Sequence, residues 1–144
     1  MKPERYDLTI ERRMPLAADV LYRAWTERFD TWFAAPGSVR MRPERGEPFF
    51  FETEHQGTRH PHYGRFLRLE PACLAELTWV TGEGGTEGTE TVVTVELAPE
   101  AAGQTSLRLT HAGFATEQQR DRHRDSWPLV LDQMQQRLRP GRPG

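Results

Sequence analysis

From residue 38 to residue 112 the chain is built of short segments in which apolar and polar residues alternate, separated by turns too short to hold a helix. The segment "EPFFFETEH" (47–55) sets the pattern, with Phe49, Phe51 and Thr53 on one side and Phe50, Glu52 and Glu54 on the other. Successive side chains of a strand point to opposite faces, so the carboxylates mark the wet face and Phe49 and Phe51 point inward. The same test on "CLAELTWVT" (73–81), "TETVVTVELA" (89–98) and "TSLRLTHA" (105–112) turns Leu77, Trp79, Val93, Val95, Leu97, Leu107, Leu109 and His111 inward. "SVRMRPE" (38–44) and "HYGRFLRLE" (62–70) complete the set. In 62–70 two parities compete: Tyr63, Arg65, Leu67 and Leu69 inward, or Gly64 and Phe66 inward with Gly64 marking a bulge. The links "HQGTRHP", "GEGGTEG" and "PEAAGQ" are short, which predicts an antiparallel meander. "GEGGTEG" (82–88) carries no apolar residue and is expected to be mobile.

A sheet that alternates in this way has one wet face and one that must be covered. The flanks supply the cover. Residues 5–14 alternate as a further strand, closed by Pro15, which cannot donate to a ladder. Two short helices are expected over 17–26 and 27–34, where Val20, Leu21, Ala24 and Trp25, then Phe29, Trp32 and Phe33, recur at helical spacing. "APG" (35–37) ends the second. A long helix is expected over 116–139. Thr116 and Gln119 have capping-box spacing, and Trp127, Val130, Leu131, Met134 and Leu138 form one apolar face. "EQQRDRHRD" is polar all round and is expected to stand off the sheet, and Pro128 predicts a kink or restart near Ser126. The architecture that follows is α+β: a curved seven-stranded antiparallel sheet wrapping a long C-terminal helix, with two short helices between strands one and two. With 144 residues it reads as one domain, its core about 6–139 and a disordered tail at 140–144.

The charge balance, 19 basic against 21 acidic residues with a net −2, argues against nucleic acid as a partner. Lys2 is the only lysine, and the arginines are interleaved with acids along the chain. The N-terminal residues show no apolar run of the signal-peptide kind, and no window approaches the ~20 apolar residues of a membrane span. Cys73 is alone. These features together suggest a cytoplasmic protein with no membrane partner.

Few residues of the chain carry a recognisable chemical motif. His55, His60 and His62 lie close together, but Pro61 and the turn context read as a solvated loop, and no metal site is expected. No phosphate-binding loop, dinucleotide fingerprint or nucleophile elbow is present, so neither a cofactor nor a catalytic set is expected. His111 is the residue with two readings. It is either an imidazole at a cavity mouth, with Arg65 nearby, or a core histidine satisfied by its surroundings.

The stretches "MPLAADVLYRAWTERFDTWFA", "RPERGEPFFF", "YGRFLRLEPACLAELTW", "TVVTVELAPEAAGQTSLRLTHAGF" and "SWPLVLDQMQQRL", in that order, resemble the family of homologues of the activator of heat-shock protein 90 ATPase. This family lies within the START-like superfamily that includes the birch-pollen allergen. The resemblance spans about residues 6–139. It departs at Arg45-Gly46-Glu47, where the family often has Gly-Gly, and at Ser126-Trp127, where it often has Gly-Trp. The eponymous co-chaperone also has a separate chaperone-binding domain, which 144 residues leave no room for. The resemblance implies a helix-grip fold whose internal cavity, between sheet and last helix, holds a hydrophobic or aromatic small molecule. Its walls would be Trp32, Phe33, Phe49, Phe51, Trp79, Leu109, Trp127, Leu131 and Met134, with His111, Tyr63 and Arg65 as polar anchors. Two other functions stand beside it. One is an enzyme on the same scaffold, a cyclase or hydrolase of polyketide-like substrates. The other is a co-chaperone-type interaction module, whose outer-face residues Phe50, Val80 and Val92 could equally form a homodimer surface.

Overall fold

Alternating segments pair with their sequence neighbours because short turns leave them no other partner. The computed structural model describes residues 6–82 and 84–138. Strands β2 (Pro48–His55), β3 (Thr58–Glu70), β4 (Leu74–Thr81), β5 (Thr91–Pro99) and β6 (Thr105–Phe114) form an antiparallel meander. β1 (Tyr6–Met14) then adds to the far side of β6, giving the order β1-β6-β5-β4-β3-β2. Helix α1 (Ala18–Thr26) and a 3-10 turn (Phe29–Thr31) fill the connection from β1 to β2, and helix α2 (Glu117–Arg137) closes the chain.

The expected seventh strand is absent. Residues 38–44 contribute one isolated bridge, Arg40 to Phe50. Pro43 cannot extend a ladder, and the chain turns back on itself through bonds from Glu44 N to Arg42 O and Glu47 N to Glu44 O. The second short helix is likewise reduced to the 3-10 turn, whose Phe29 carbonyl accepts from Trp32, Phe33 and Ala34. Ring packing sets that segment: Phe29 stacks on Phe51 at 4.7 Å and on Trp32 at 5.2 Å.

β3 begins four residues earlier than expected, because the β2–β3 turn is Gln56-Gly57, with φ of 52° and 81°. Two successive positive φ values match the twist of a tight hairpin. His60 and His62 are therefore strand residues, with Phe51 opposite His62. Pro61 is tolerated because β4 ends opposite His62 and asks for no donor beyond it.

The contest of parities in β3 goes to Gly64 and Phe66. Phe66 is fully buried, whereas Tyr63 is 46% exposed and Arg65 is exposed on the opposite face. The bulge falls between Phe66 and Arg68. Gly64 has a different reason to be glycine: a Cβ there would lie 2.2 Å from the Thr78 carbonyl oxygen. The Thr78 hydroxyl, in turn, accepts the Arg65 N–H at 2.9 Å.

Helix α2 runs unbroken through Pro128, with no restart at Ser126. Thr116 caps it by accepting from Gln119 N at 3.1 Å. Arg12 of β1 clasps its middle, donating to the Asp132 carboxylate and towards the Pro128 carbonyl. Its C-terminal third holds the connection in place, since Gln133 and Arg137 both donate to the Trp32 carbonyl. The expected tail at 140–144 lies outside the described residues. No helix among those described is long and apolar enough to cross a membrane.

Candidate functional site

The space between sheet and helix is largely filled by rings. Trp25, Phe29, Trp32, Phe49, Phe51 and Phe66 are all buried and pack on one another. What stays open is a cleft of about 740 Å³ at one end, where β2–β4, the β4–β5 loop and the middle of α2 meet. Its apolar surface comes from Phe33, Trp79, Trp127 and Val130, and its polar surface includes His60, His62, Thr81, His123 and Ser126. That volume lies inside the range of small-molecule sites, roughly 300–1,000 Å³.

His62 is 9% exposed. It stacks on Phe51 at 4.8 Å and meets Phe33 and Trp79 edge-on. Its Nδ1 lies 3.1 Å from the His60 carbonyl. A carbonyl only accepts, so Nδ1 carries the proton and Nε2 is left with a lone pair. Burial pushes the His62 pKa down to about 4, with the nearby His60 and His123 adding to the fall. His123, on α2, has the same arrangement: Nδ1 donates to the Gln119 carbonyl at 2.7 Å, and Nε2 is left as an acceptor. Burial lowers its pKa as well, assisted by Arg122.

His111 has its polar atoms committed elsewhere. Trp127 Nε1–H, which can only donate, gives its hydrogen bond to His111 Nδ1 at 3.0 Å. The imidazole proton therefore sits on Nε2 and goes to Thr91 Oγ1 at 2.7 Å, and Thr91 donates onward to the Trp79 carbonyl at 2.6 Å. His111 is fully buried, and desolvation holds its pKa well below the usual histidine range. It is the core histidine of the two readings, placed behind Trp127 and outside the cleft lining.

Three histidines held neutral make stability pH-dependent. Each has a folded pKa below its unfolded value near 6.5, so the unfolded chain takes up protons first as pH falls. Stability should be full above about pH 6.5 and decline towards pH 5, by up to about 1.4 kcal/mol per pH unit for each histidine still neutral. Urea unfolding at pH 7.5 and 5 checks this above the main carboxylate range; equal midpoints would show that the imidazoles ionise freely in the fold.

The described residues of the β4–β5 loop, expected to be mobile, carry hydrogen bonds from two threonines. Thr81 N–H bonds to the Thr86 hydroxyl at 2.9 Å, and Thr86 N–H to the Thr81 hydroxyl at 2.7 Å. Glu87 then fastens the loop to α2 through Gln119 Nε2 and Arg122, each at 3.1 Å. Composition gave no warning of this, because the restraint is made by hydroxyls and carboxylates and needs no apolar residue.

Of the twelve residues expected at a ligand, Phe33, Trp79 and Trp127 line the cleft. Trp32, Phe49, Phe51, Leu109, Leu131 and Met134 are packed into the core. Tyr63 and Arg65 face outward, a correction that follows from the β3 parity. His62, expected in a solvated loop, and His123, not singled out, are additional cleft residues, and both left a signal in the sequence. His123 extends the helical stripe one turn back from Trp127. His62 falls on the inward parity once Gln-Gly is taken as the hairpin turn. Among the outer-face residues, Phe50 is 37% exposed but Val80 is only 7% exposed.

A family model described as activator of Hsp90 ATPase homolog 1-like protein matches residues 15–139. Among solved structures, CalU16 of Micromonospora echinospora is 26% identical, with a TM-score of 0.69 over 93% of this chain and 76% of its own. A protein of Chromobacterium violaceum is 20% identical, with a TM-score of 0.79 over 93% of this chain and 97% of its own. The AHSA1 protein of Silicibacter pomeroyi is 20% identical, with a TM-score of 0.75 over 92% and 97% respectively. The last two show likeness of fold alone. No curated protein matches the chain.

Proposed function

We propose, given that this chain belongs to the activator of Hsp90 ATPase homolog 1-like family, that it binds a hydrophobic or aromatic small molecule in the cleft between β2–β4 and α2. The observation that carries this is an open cleft lined by the half-buried Phe33 together with Trp79 and Trp127, which are 2% and 3% exposed, while the other rings of the same cluster form no part of its lining. Trp79 packs against Trp127 at 5.6 Å and against Phe33 at 6.2 Å, so the apolar floor is one continuous surface. A flat ring laid on it removes apolar area from both partners, at roughly 25 cal/mol per Å².

The proposed site lies at one end of the sheet–helix space, since among the described residues the middle of that space is occupied by buried rings. Ser126 is exposed on the cleft wall, so Ser126→Trp should fill the space without disturbing the core. Titration with N-phenyl-1-naphthylamine, a neutral apolar fluorophore, should give saturable single-site binding. Ser126→Trp should weaken it by about tenfold or more, and Phe50→Ala, on the other sheet face, should leave it unchanged. Absence of saturable binding, or indifference to Ser126→Trp, would remove the cleft as a binding site.

A further inference from the structure

The polar groups of the cleft narrow the chemistry of what it takes, and this step rests on the proposed binding function. His62 and His123 face the cleft from opposite sides, one from the sheet and one from α2. Each is fixed as the Nδ1–H tautomer by a backbone carbonyl of its own element, His60 for one and Gln119 for the other. Neither makes a further hydrogen bond among the described residues, so each keeps an Nε2 lone pair for an occupant. His62 is more than nine-tenths buried, yet its Nε2 is not one of the sealed polar atoms that lack a partner, so it is open to an occupant of the cleft. The two rings are close enough for a charge on His123 to depress His62.

Charge is lacking at the same place. Among the described residues lining the cleft there is no Lys, Arg, Asp or Glu. At the rim, the Arg122 guanidinium is engaged by Glu87 and by the Gly85 carbonyl. Arg59 is paired with Glu52 and Glu54. Among the described residues, a carboxylate or phosphate would meet two lone pairs and no free cation, and an ammonium group would find no carboxylate in the lining to pair with.

We infer that the cleft selects an uncharged aromatic molecule bearing hydroxyl groups, a phenol-class ligand, whose O–H donors are accepted by Nε2 of His62 and of His123 while its ring lies on Trp79 and Trp127. The imidazoles act as acceptors that position and discriminate the ligand.

Three ring-matched probes test this at pH 8 by calorimetry: 2-naphthol, 2-methoxynaphthalene and 2-naphthoate. The first donates a hydrogen bond, the second cannot, and the third is an anion. Naphthol should bind about tenfold or more tighter than either of the others. His62→Phe and His123→Phe keep an aromatic ring in place but each removes one acceptor; 2-naphthol has a single O–H, so the double variant should abolish the preference and at least one single variant should shrink it, with methoxynaphthalene affinity nearly as it was. If the double variant fails to fold, the two single variants decide, and indifference of both to the naphthol preference overturns the acceptor pair. If methoxynaphthalene binds as tightly as naphthol, the acceptor pair is wrong and the cleft stands as a purely apolar site. A preference for naphthoate overturns the inference in favour of an anion. If no probe binds, the cleft function falls and this inference falls with it.

Discussion

Phe51→Ala should lower the unfolding free energy by about 3–5 kcal/mol, the usual cost of removing a buried phenylalanine, while Phe50→Ala should lower it by about 1 kcal/mol. The two residues are identical and adjacent, so no scale of hydrophobicity separates them. Strand parity does. Phe51 is fully buried and touches Phe29, Phe33, Phe49, His62 and Trp79, with ring centroids from 4.7 to 6.2 Å away. Phe50 is 37% exposed on the far side of the sheet. Removing Phe51 would open a hole at the point where β2, the 3-10 turn and β4 meet, with rigid rings around it that cannot collapse inward. Urea midpoints with an unchanged slope measure the difference. Similar losses for the two variants would mean that β2 is shifted by one residue.

The second large effect is expected at His111. His111→Ala should cost roughly 3–5 kcal/mol, because it leaves a cavity and also strands the Trp127 N–H and one side of the Thr91 hydroxyl in a dry environment. The relay from Trp127 through His111 and Thr91 to the Trp79 carbonyl joins α2, β6, β5 and β4. Thr91→Val separates hydrogen bonding from volume. It keeps the shape of the side chain but leaves His111 Nε2–H and the Trp79 carbonyl without their partner, at about 1–3 kcal/mol. Both variants read out in stability rather than in direct ligand contact, since His111 lies behind the cleft wall. An Ala variant as stable as the parent would show that the imidazole is not structural, and would return His111 to the list of candidate ligand groups.

How much was legible beforehand depended on whether a residue's surroundings are local. Period-two alternation gave β1, β2, β4, β5 and β6 to within two residues at either end, because each strand has one wet face and one dry one. The cap at Thr116 and the apolar stripe of α2 were readable for the same kind of reason. β3 was harder. Tyr63, Arg65 and Leu67 form as plausible an inward set as Gly64 and Phe66, and the choice rests on the turn at Gln56-Gly57, which sets the register against β2. The 38–44 segment alternated too, but Pro43 and the turn that follows Arg42 leave it one bridge to β2. Alternation states a preference for strand, and pairing requires a neighbour.

The site shows the same division. Which residues are aromatic, and that Phe33, Trp79 and Trp127 point to the covered side of the sheet, follow from sequence periodicity. Whether a ring lines open space or packs against another ring does not, because burial contributes similar free energy in either case. His62 and His123 lie 61 positions apart in the chain, and each is unremarkable in its own segment. Sequence alone determined the alternation, the fold class and the apolar face of α2, since these arise from interactions of a residue with its near neighbours and with water. Only the tertiary structure decided which part of the helix grip is filled, which histidine is locked into the core, and which two offer lone pairs to the cleft. Those depend on the approach of distant backbone carbonyls and rings, and no local pattern records them.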